Sequence, residues 1–418
     1  MKQYYGVTFL IGLGFFTMGL MDPLYDTYVP IFLSKYIGSK GIIGTVMTLD
    51  NIFALFLIPI VSALSDRTRS RIGRRMPYIL VTLPFAAICF GLIPFAALWG
   101  LGILIIAIFF LNVFKQAARG PVVALMPDTI PGEYRSEANG VINTMGGVAA
   151  IVGTIGLAKL MDVKINLPGR GPTDEILSFP VAGILVVLAT VALVAFIREK
   201  HRADNENTAK TTDSLKLIFS GSDRSSFLIL ITIFLWFLGY QGVLPFIGLY
   251  SKEVIGVSSG TAGLSAGMVA IAYAVFAIPS GVIAHKRGRK NTIRFSLVAL
   301  TIVTLVLAAH RSLGKLFGFS QTPMLLSFFF LLFIFGMFWV SVVTNSFPML
   351  WQMASYDNMG IYTGLYYTFS QTAAIVAPPI TGLIIDTLGF QGIFVFAAIC
   401  MFAAFLVMNR VAKGEIAA

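Results

Sequence analysis

Apolar and polar positions alternate along this chain on the scale of whole segments. Twelve apolar stretches are parted by short turns that carry charge, proline or glycine. They predict helical spans at 6–33, 41–64, 76–96, 100–127, 138–160, 178–198, 225–251, 261–284, 291–310, 323–351, 359–386 and 389–409. Each is long enough to cross a hydrocarbon layer of about 30 Å with some tilt. The third and fourth are nearly fused, parted only by Ala96-Ala97-Leu98-Trp99-Gly100. One long polar connection divides the chain into six spans and six. It predicts a six-helix bundle over 1–198, a linker over 199–223 with a short surface helix around Ser214–Ser220, and a second bundle over 224–418. The other sizeable loop, 161–177, holds prolines and glycines. It either restrains one mouth of the bundle or is inert.

Composition agrees with a membrane setting. The chain is 57% hydrophobic and 12% charged, with mean hydropathy +0.86. Soluble domains carry roughly 25% charge. So many apolar residues exceed one buried core, and lipid must solvate part of the surface. The net charge is +11, but the basic residues sit between apolar runs. A nucleic-acid partner would need them gathered on one soluble face. With the N-terminus in the cytoplasm, 20 of the 30 Lys and Arg lie on that side and eight on the other. This bias predicts a multi-pass cell-membrane protein with both termini cytoplasmic. The first stretch lacks a small-residue cleavage site and reads as a retained span. Cys89 and Cys400 lie inside apolar runs and read as core filler. His201, His285 and His310 fall near the membrane edges, apart from one another, so no metal site is expected.

The loop between spans 2 and 3, Ser65-Asp66-Arg67-Thr68-Arg69-Ser70-Arg71-Ile72-Gly73-Arg74-Arg75, packs five arginines and an aspartate into eleven residues. A shorter echo, His285-Lys286-Arg287-Gly288-Arg289-Lys290, follows span 8. Gly73-Arg74-Arg75 answers Gly288-Arg289-Lys290, and Val29-Pro30-Ile31-Phe32 answers Leu244-Pro245-Phe246-Ile247, both at an offset of 215. Ala149-Ala150-Ile151-Val152 answers Ala373-Ala374-Ile375-Val376. Three matches in register order indicate an internal duplication. Duplicated six-span halves imply alternating access around a site at the bilayer midplane.

On these residues the chain resembles the major facilitator superfamily along its whole length. A narrower likeness is to the sucrose/maltose-type carriers and the glycoside–pentoside–hexuronide symporters. It rests on Tyr28-Val29-Pro30-Ile31-Phe32-Leu33, on Ser65-Asp66-Arg67 with Gly73-Arg74-Arg75-Met76-Pro77-Tyr78-Ile79, on Arg119-Gly120-Pro121-Val122-Val123-Ala124-Leu125-Met126-Pro127-Asp128, and on Gly364-Leu365-Tyr366-Tyr367. The resemblance implies an all-α fold of twelve transmembrane helices in two pseudo-symmetric six-helix bundles, moving a sugar with a proton or sodium ion. Two departures stand out: Met76 replaces an arginine frequent in relatives, and the second loop has His285 where the first has Asp66. The first leaves the substrate open; the second predicts an asymmetric gate.

The loop motif has two readings. Arginines here satisfy the positive-inside rule, and any basic residues would do so. Asp66 contributes nothing to that rule, which favours a cytoplasmic gate in which guanidinium groups fork onto carboxylates at helix ends. The gate set is Asp66, Arg67, Gly73, Arg74, Arg75, Asp128, Arg135, Lys286, Arg287, Gly288 and Arg289. Gly73 permits a tight turn. For Asp128 and Arg135 the plainer reading is a surface ion pair.

Charges inside spans are more informative, because each costs at least ~2.5 kcal/mol to insert. Asp22 and Asp26 share a face of span 1, and Asp50 lies near the middle of span 2. Lys115 and Arg119 share a face of span 4, with Asn112 one turn earlier. Three acids against two bases leave one acid over, which would take up a proton or hold sodium. Asp22, Asp26 and Asp50 are thus the coupling candidates. The plainer reading is a fixed ion pair for Asp22 or Asp26, or a span 1–2 contact for Asp50. The resemblance places Arg119 near the sugar. The second half offers neutral cavity candidates: Trp236, Tyr240, Gln241, Trp339, Asn345, Tyr367 and Gln371. Aromatic faces and amides suit a sugar's apolar and hydroxyl surfaces. For Trp236 and Trp339 a lipid-facing or interfacial position is equally open.

Three function classes follow. A cation-coupled sugar symporter, of an oligosaccharide or glycoside, accounts for the charged cavity. An exporter or uniporter of another organic solute shares the fold, and one that handles amphipathic solutes calls for a more apolar cavity. A membrane receptor or enzyme lacks support: there is no nucleotide motif, no nucleophile with a base and no soluble domain. No cofactor is expected beyond the coupling ion. A duplicated monomer suffices to enclose a pathway.

Overall fold

The computed structural model describes residues 4–131, 134–197, 224–353 and 359–412, with the side chains of 135–137, 224, 351 and 359–361 outside the description. The linker 199–223 and its expected surface helix also lie outside the described residues. Among the described residues, twelve helices are long and apolar enough to cross a membrane. In chain order they are α1 (Tyr5–Ser34), α2 (Lys40–Met47 continued by Leu49–Arg67), α3 (Met76–Trp99), α4 (Leu101–Thr129), α5 (Arg135–Ile151), α6 (Ser178–Phe196), α7 (Arg224–Val243), α8 (Ser259–Arg287), α9 (Arg289–Leu316), α10 (Gln321–Trp351), α11 (Met359–Leu388) and α12 (Gln391–Asn409). Their outward faces carry large apolar side chains, such as Phe56, Phe196, Ile278 and Phe295, which only lipid can solvate.

Where the helices depart from the expected spans, backbone hydrogen bonding gives the reason. α2 is broken at Thr48, whose N–H is shared between the carbonyls of Gly44 and Thr45. α3 and α4 part at Gly100, whose φ of 140° suits glycine. α5 runs on through a wider turn, Val152–Gly156, and a tight one, Ala158–Asp162. α7 continues through Leu244–Phe246, where Pro245 removes a donor, and through Ile247–Tyr250 to a second wide turn, Ser251–Ile255. The loop after α5 forms a small antiparallel hairpin, β1 (Ile165–Leu167) with β2 (Gly171–Thr173).

Helix packing repeats the duplication. In the first half, α1 packs on α5 and α6, α3 on α4 and α6, and α2 on α4. In the second, α7 packs on α11 and α12, α9 on α10 and α12, and α8 on α10. Adding six to each helix number converts the first set into the second. The halves meet mainly through α2 against α11 and α5 against α8, again related by the same rule. Gly73 and Gly288, 215 residues apart, both turn with positive φ, at 112° and 87°.

The halves touch most closely at the end that carries the hairpin. There a Cβ on Gly44 would collide with the Pro378 carbonyl, one on Gly382 with the Lys40 carbonyl, and one on Gly263 with the Tyr28 hydroxyl. Gly44 and Gly382 let backbone approach backbone across the bundle interface, and Gly263 makes room for the Tyr28 ring. We call this the hairpin end, and its opposite, with Thr68–Arg75, the arginine end.

Candidate cation and substrate site between the bundles

Spacing along two helices builds the charged cluster. Asp22 and Asp26 sit midway along α1, and Asn112, Lys115 and Arg119 line one face of α4 at its middle. Asp50 arrives from α2 because the break at Thr48 restarts that helix. Asp50 then occupies the first turn of Leu49–Arg67, where the helix dipole favours an acid.

Lys115 is the centre of the cluster. Only 2% of its side chain is exposed, and its Nζ lies 2.8 Å from Asp22 Oδ1 and 3.0 Å from Asp50 Oδ2. The ammonium also rests 4.9 Å from the centroid of the Tyr25 ring. Asn112 Nδ2 donates to the Tyr25 hydroxyl at 3.1 Å, which fixes that ring under the lysine. A buried cation is tolerated because two carboxylates and an aromatic face replace its water. Arg119 is more open, with 39% of its side chain exposed and a long ion pair to Asp22 Oδ2 at 3.9 Å.

Asp26 is the acid left over. Among the described residues its half-buried carboxylate has neither an ion pair nor a hydrogen bond. At longer range it lies in the field of two like charges, Asp50 and Asp22, as well as of Lys115 and Arg119.

The second half faces this cluster with aromatic rings. Tyr240 stacks on Trp339 with centroids 4.1 Å apart and planes 7° from parallel. Phe335 lies parallel to Tyr240, Phe237 meets Trp339 edge-on, and Tyr366 packs on Phe347 at 3.7 Å. Tyr240 lies within Coulombic range of Asp26 across the interface. Tyr273 of α8, hydrogen-bonded to Thr344, stands near both Tyr240 and Tyr366.

The remaining second-half candidates are placed variously. Tyr367 is exposed and touches Phe347, and half-buried Gln371 carries a side-chain oxygen with no partner among the described residues. Both belong to an exposed polar stripe on α11 with Thr368 and Thr372. Its counterpart on α5 is Asn139, Asn143 and Thr144. Exposed polar side chains on membrane-spanning helices are costly against lipid. Gln241 is half-buried beside Tyr240. Asn345 is buried and donates to its own helix at the Ser341 carbonyl. Trp236 is fully buried in the second half's core, away from lipid and from the gap.

At the arginine end, Arg75 is nearly buried and draws three elements together. It bonds Asp66 at the end of α2, Ser65 beside it, and Asp128 at the end of α4 at 3.0 Å. Arg74 grips the same Asp128 through two nitrogens, at 2.5 and 3.2 Å. Arg67 is exposed. These contacts all fall within the first half. The second loop differs: Lys286 and Arg287 are exposed, Gly288 and Arg289 are half-buried, and Lys290 Nζ caps the Val411 carbonyl at 2.5 Å. The Arg135 side chain lies outside the described residues.

Sequence reasoning missed Tyr25, Tyr273, Tyr366 and Gln116. Tyr25 was accessible to it, since positions 22, 25 and 26 share one helical face. Gln116 is fully buried on α4 with neither amide atom partnered among the described residues, and no spacing pointed to it.

The fold is shared with solved carriers at low sequence identity. A bacterial homologue of the human lysosomal transporter Spinster, inward-facing and occupied, is 12% identical with a TM-score of 0.76, covering 98% of this chain and 97% of that one. The nucleoside transporter NupG, as a single-substitution variant, is 12% identical with a TM-score of 0.72, over 97% and 100%. A D-xylose–proton symporter is 15% identical with a TM-score of 0.66, over 98% of each chain. An uncharacterized symporter of Synechocystis sp. is 33% identical over 96 residues, 23% of this chain and 16% of that relative's length. A family profile described as the Major Facilitator Superfamily matches residues 7–373 and again 255–414. The chain belongs to that superfamily, and it is a secondary-active, alternating-access transporter rather than an enzyme.

Proposed function

We propose that the chain is a cation-coupled symporter of a sugar, an oligosaccharide or glycoside. The observation that carries this reading is the unpartnered Asp26 carboxylate, set between two paired acids and an aromatic wall. A neutral polyol would present hydroxyls to Asp22 and Arg119 and an apolar face to Tyr240, while the buried Asn112 and Trp339 hold Tyr25 and Tyr240 in place from behind. The coupling ion, a proton or sodium, would neutralise Asp26. The D-xylose–proton symporter among the structural relatives supports sugar cargo. The sequence likeness to sucrose/maltose-type and glycoside–pentoside–hexuronide carriers supports it as well.

The cytoplasmic side is the arginine end, as the bias of basic residues argues. The bundles 1–198 and 224–418 rock about the site, and the linker 199–223 joins them. Coupling requires that ion and sugar each favour binding of the other. Ion on Asp26 removes a charge that the cavity could not otherwise balance, and cargo then completes the closed state. Arg75 and Arg74 hold the ends of α2 and α4 as one rigid edge during this motion.

The test is solute-driven cation movement in proteoliposomes, with a panel of mono- and oligosaccharides, glycosides and non-sugar solutes. Glycosides should drive proton or sodium uptake in fixed ratio. Movement driven only by non-sugar solutes would replace this reading with that of a general organic-solute carrier.

A further inference from the structure

The hairpin end holds a second duplicated device. α2 and α8 both begin there, each with its own serine cap: the Ser39 hydroxyl accepts from the Ile42 N–H, and that of Ser258 from the Thr261 N–H. A cap of this kind leaves other first-turn N–H groups open. A carboxylate from the opposite half takes them. Asp386, at the end of α11, accepts from Lys40 N at 2.7 Å, Gly41 N at 3.1 Å and Ser39 Oγ at 2.6 Å. Asp162, at the end of the α5 segment, accepts from Gly260 N at 2.9 Å and Ser258 Oγ at 2.9 Å. The two acids occupy the same register in the internal repeat. Ala149 and Ala373 differ by 224, and so do Asp162 and Asp386.

Between these caps lies an unduplicated acid. Glu175, just after the β-hairpin, is 8% exposed. It binds Lys35 of the first half at 2.5 Å and Lys252 and Ser259 of the second. Lys40 and Glu253 add an ion pair across the halves at 2.7 Å.

We propose that Asp162 and Asp386 are a duplicated pair of cross-bundle helix caps that hold the hairpin end shut, with Glu175 as the latch between them. Opening to that side breaks both caps at once, because each acid rides on one half while its helix start rides on the other. The loop 161–177 then has a defined role: it carries the latch. The two caps are related by the internal repeat but not identical: Asp386 takes two backbone N–H groups and a hydroxyl, Asp162 one of each.

Spin labels at Gly38→Cys and Lys315→Cys, one in each half at this end, report the opening as a distance in a chain whose Cys89 and Cys400 are serine. The parent should show mainly the short distance. Asp162→Ala with Asp386→Ala should raise the long-distance population on the order of tenfold, and each single variant by a smaller factor. Glu175→Gln should shift it in the same direction. An unchanged distribution in the folded double variant overturns the proposal, as would a shift from one cap only. Should the alanine pair fail to fold, Asp162→Asn with Asp386→Asn keeps the shape and removes the charge. A smaller shift toward opening then supports the caps, and none overturns them. Because the readout is a distance, a wrong cargo assignment leaves it untouched.

Discussion

One lysine organises the charges between the bundles. Lys115 is enclosed by Asp22, Asp50 and Tyr25, so its removal strands two carboxylates beside each other in a low-dielectric site. Lys115→Ala should destabilise the fold by about 3–5 kcal/mol, read as a lowered melting temperature in detergent. Arg119 is a contrast, being half-exposed and only loosely held. Arg119→Gln should leave the melting temperature unchanged and raise the apparent KM for cargo by about tenfold, the worth of one charge-assisted hydrogen bond. The five charged positions and their helical faces could be read from spacing alone. Which acid stays unpaired could not. That depends on how α2 turns relative to α1, and the break at Thr48 that sets this turn has no proline or glycine of its own to announce it.

Helices here are shaped as much by where backbones meet as by hydropathy. Gly44 of α2 and Gly382 of α11 exist at a contact with no room for a side chain. Gly44→Val should wedge α2 from α11, because the obstructing atom is a backbone carbonyl and cannot rotate away. The expected outcome is a lengthened distance between the same hairpin-end spin labels; an unchanged distance would show that the contact is not a seal. The twelve spans, the Gly100 break and the duplication were legible because apolar length and glycine φ preferences are local properties. The wide turns at Val152–Gly156 and Ser251–Ile255 and the small hairpin were not, since they answer to cross-bundle packing. Trp236 shows the same limit. A tryptophan in a span can face lipid, cavity or core, and only the packing of α7 assigns it to the core.

The two halves of the molecule are held together at the hairpin end, and the charged cluster lies midway along the bundles. The hairpin end should not respond to ordinary pH. Burial opposes ionisation of Glu175, but hydrogen bonds from Lys252, Lys35 and Ser259 outweigh it and hold its carboxyl at about 2, below the usual 4.5. A depressed acid stabilises fully above its unfolded value and loses that contribution as pH falls through its folded one. The latch should therefore hold constant from about pH 5 to 8, and hairpin-end distances should be flat across that window. Coupling is then a property of the cavity, and the central claim is that Asp26 carries the ion. The direct measurement is cargo-driven cation uptake into proteoliposomes by the parent, Asp26→Asn and Asp22→Asn, alongside cargo exchange without a cation gradient. Asp26→Asn should abolish cation uptake while retaining exchange, and Asp22→Asn should impair both. Undiminished cation uptake by Asp26→Asn would contradict the account.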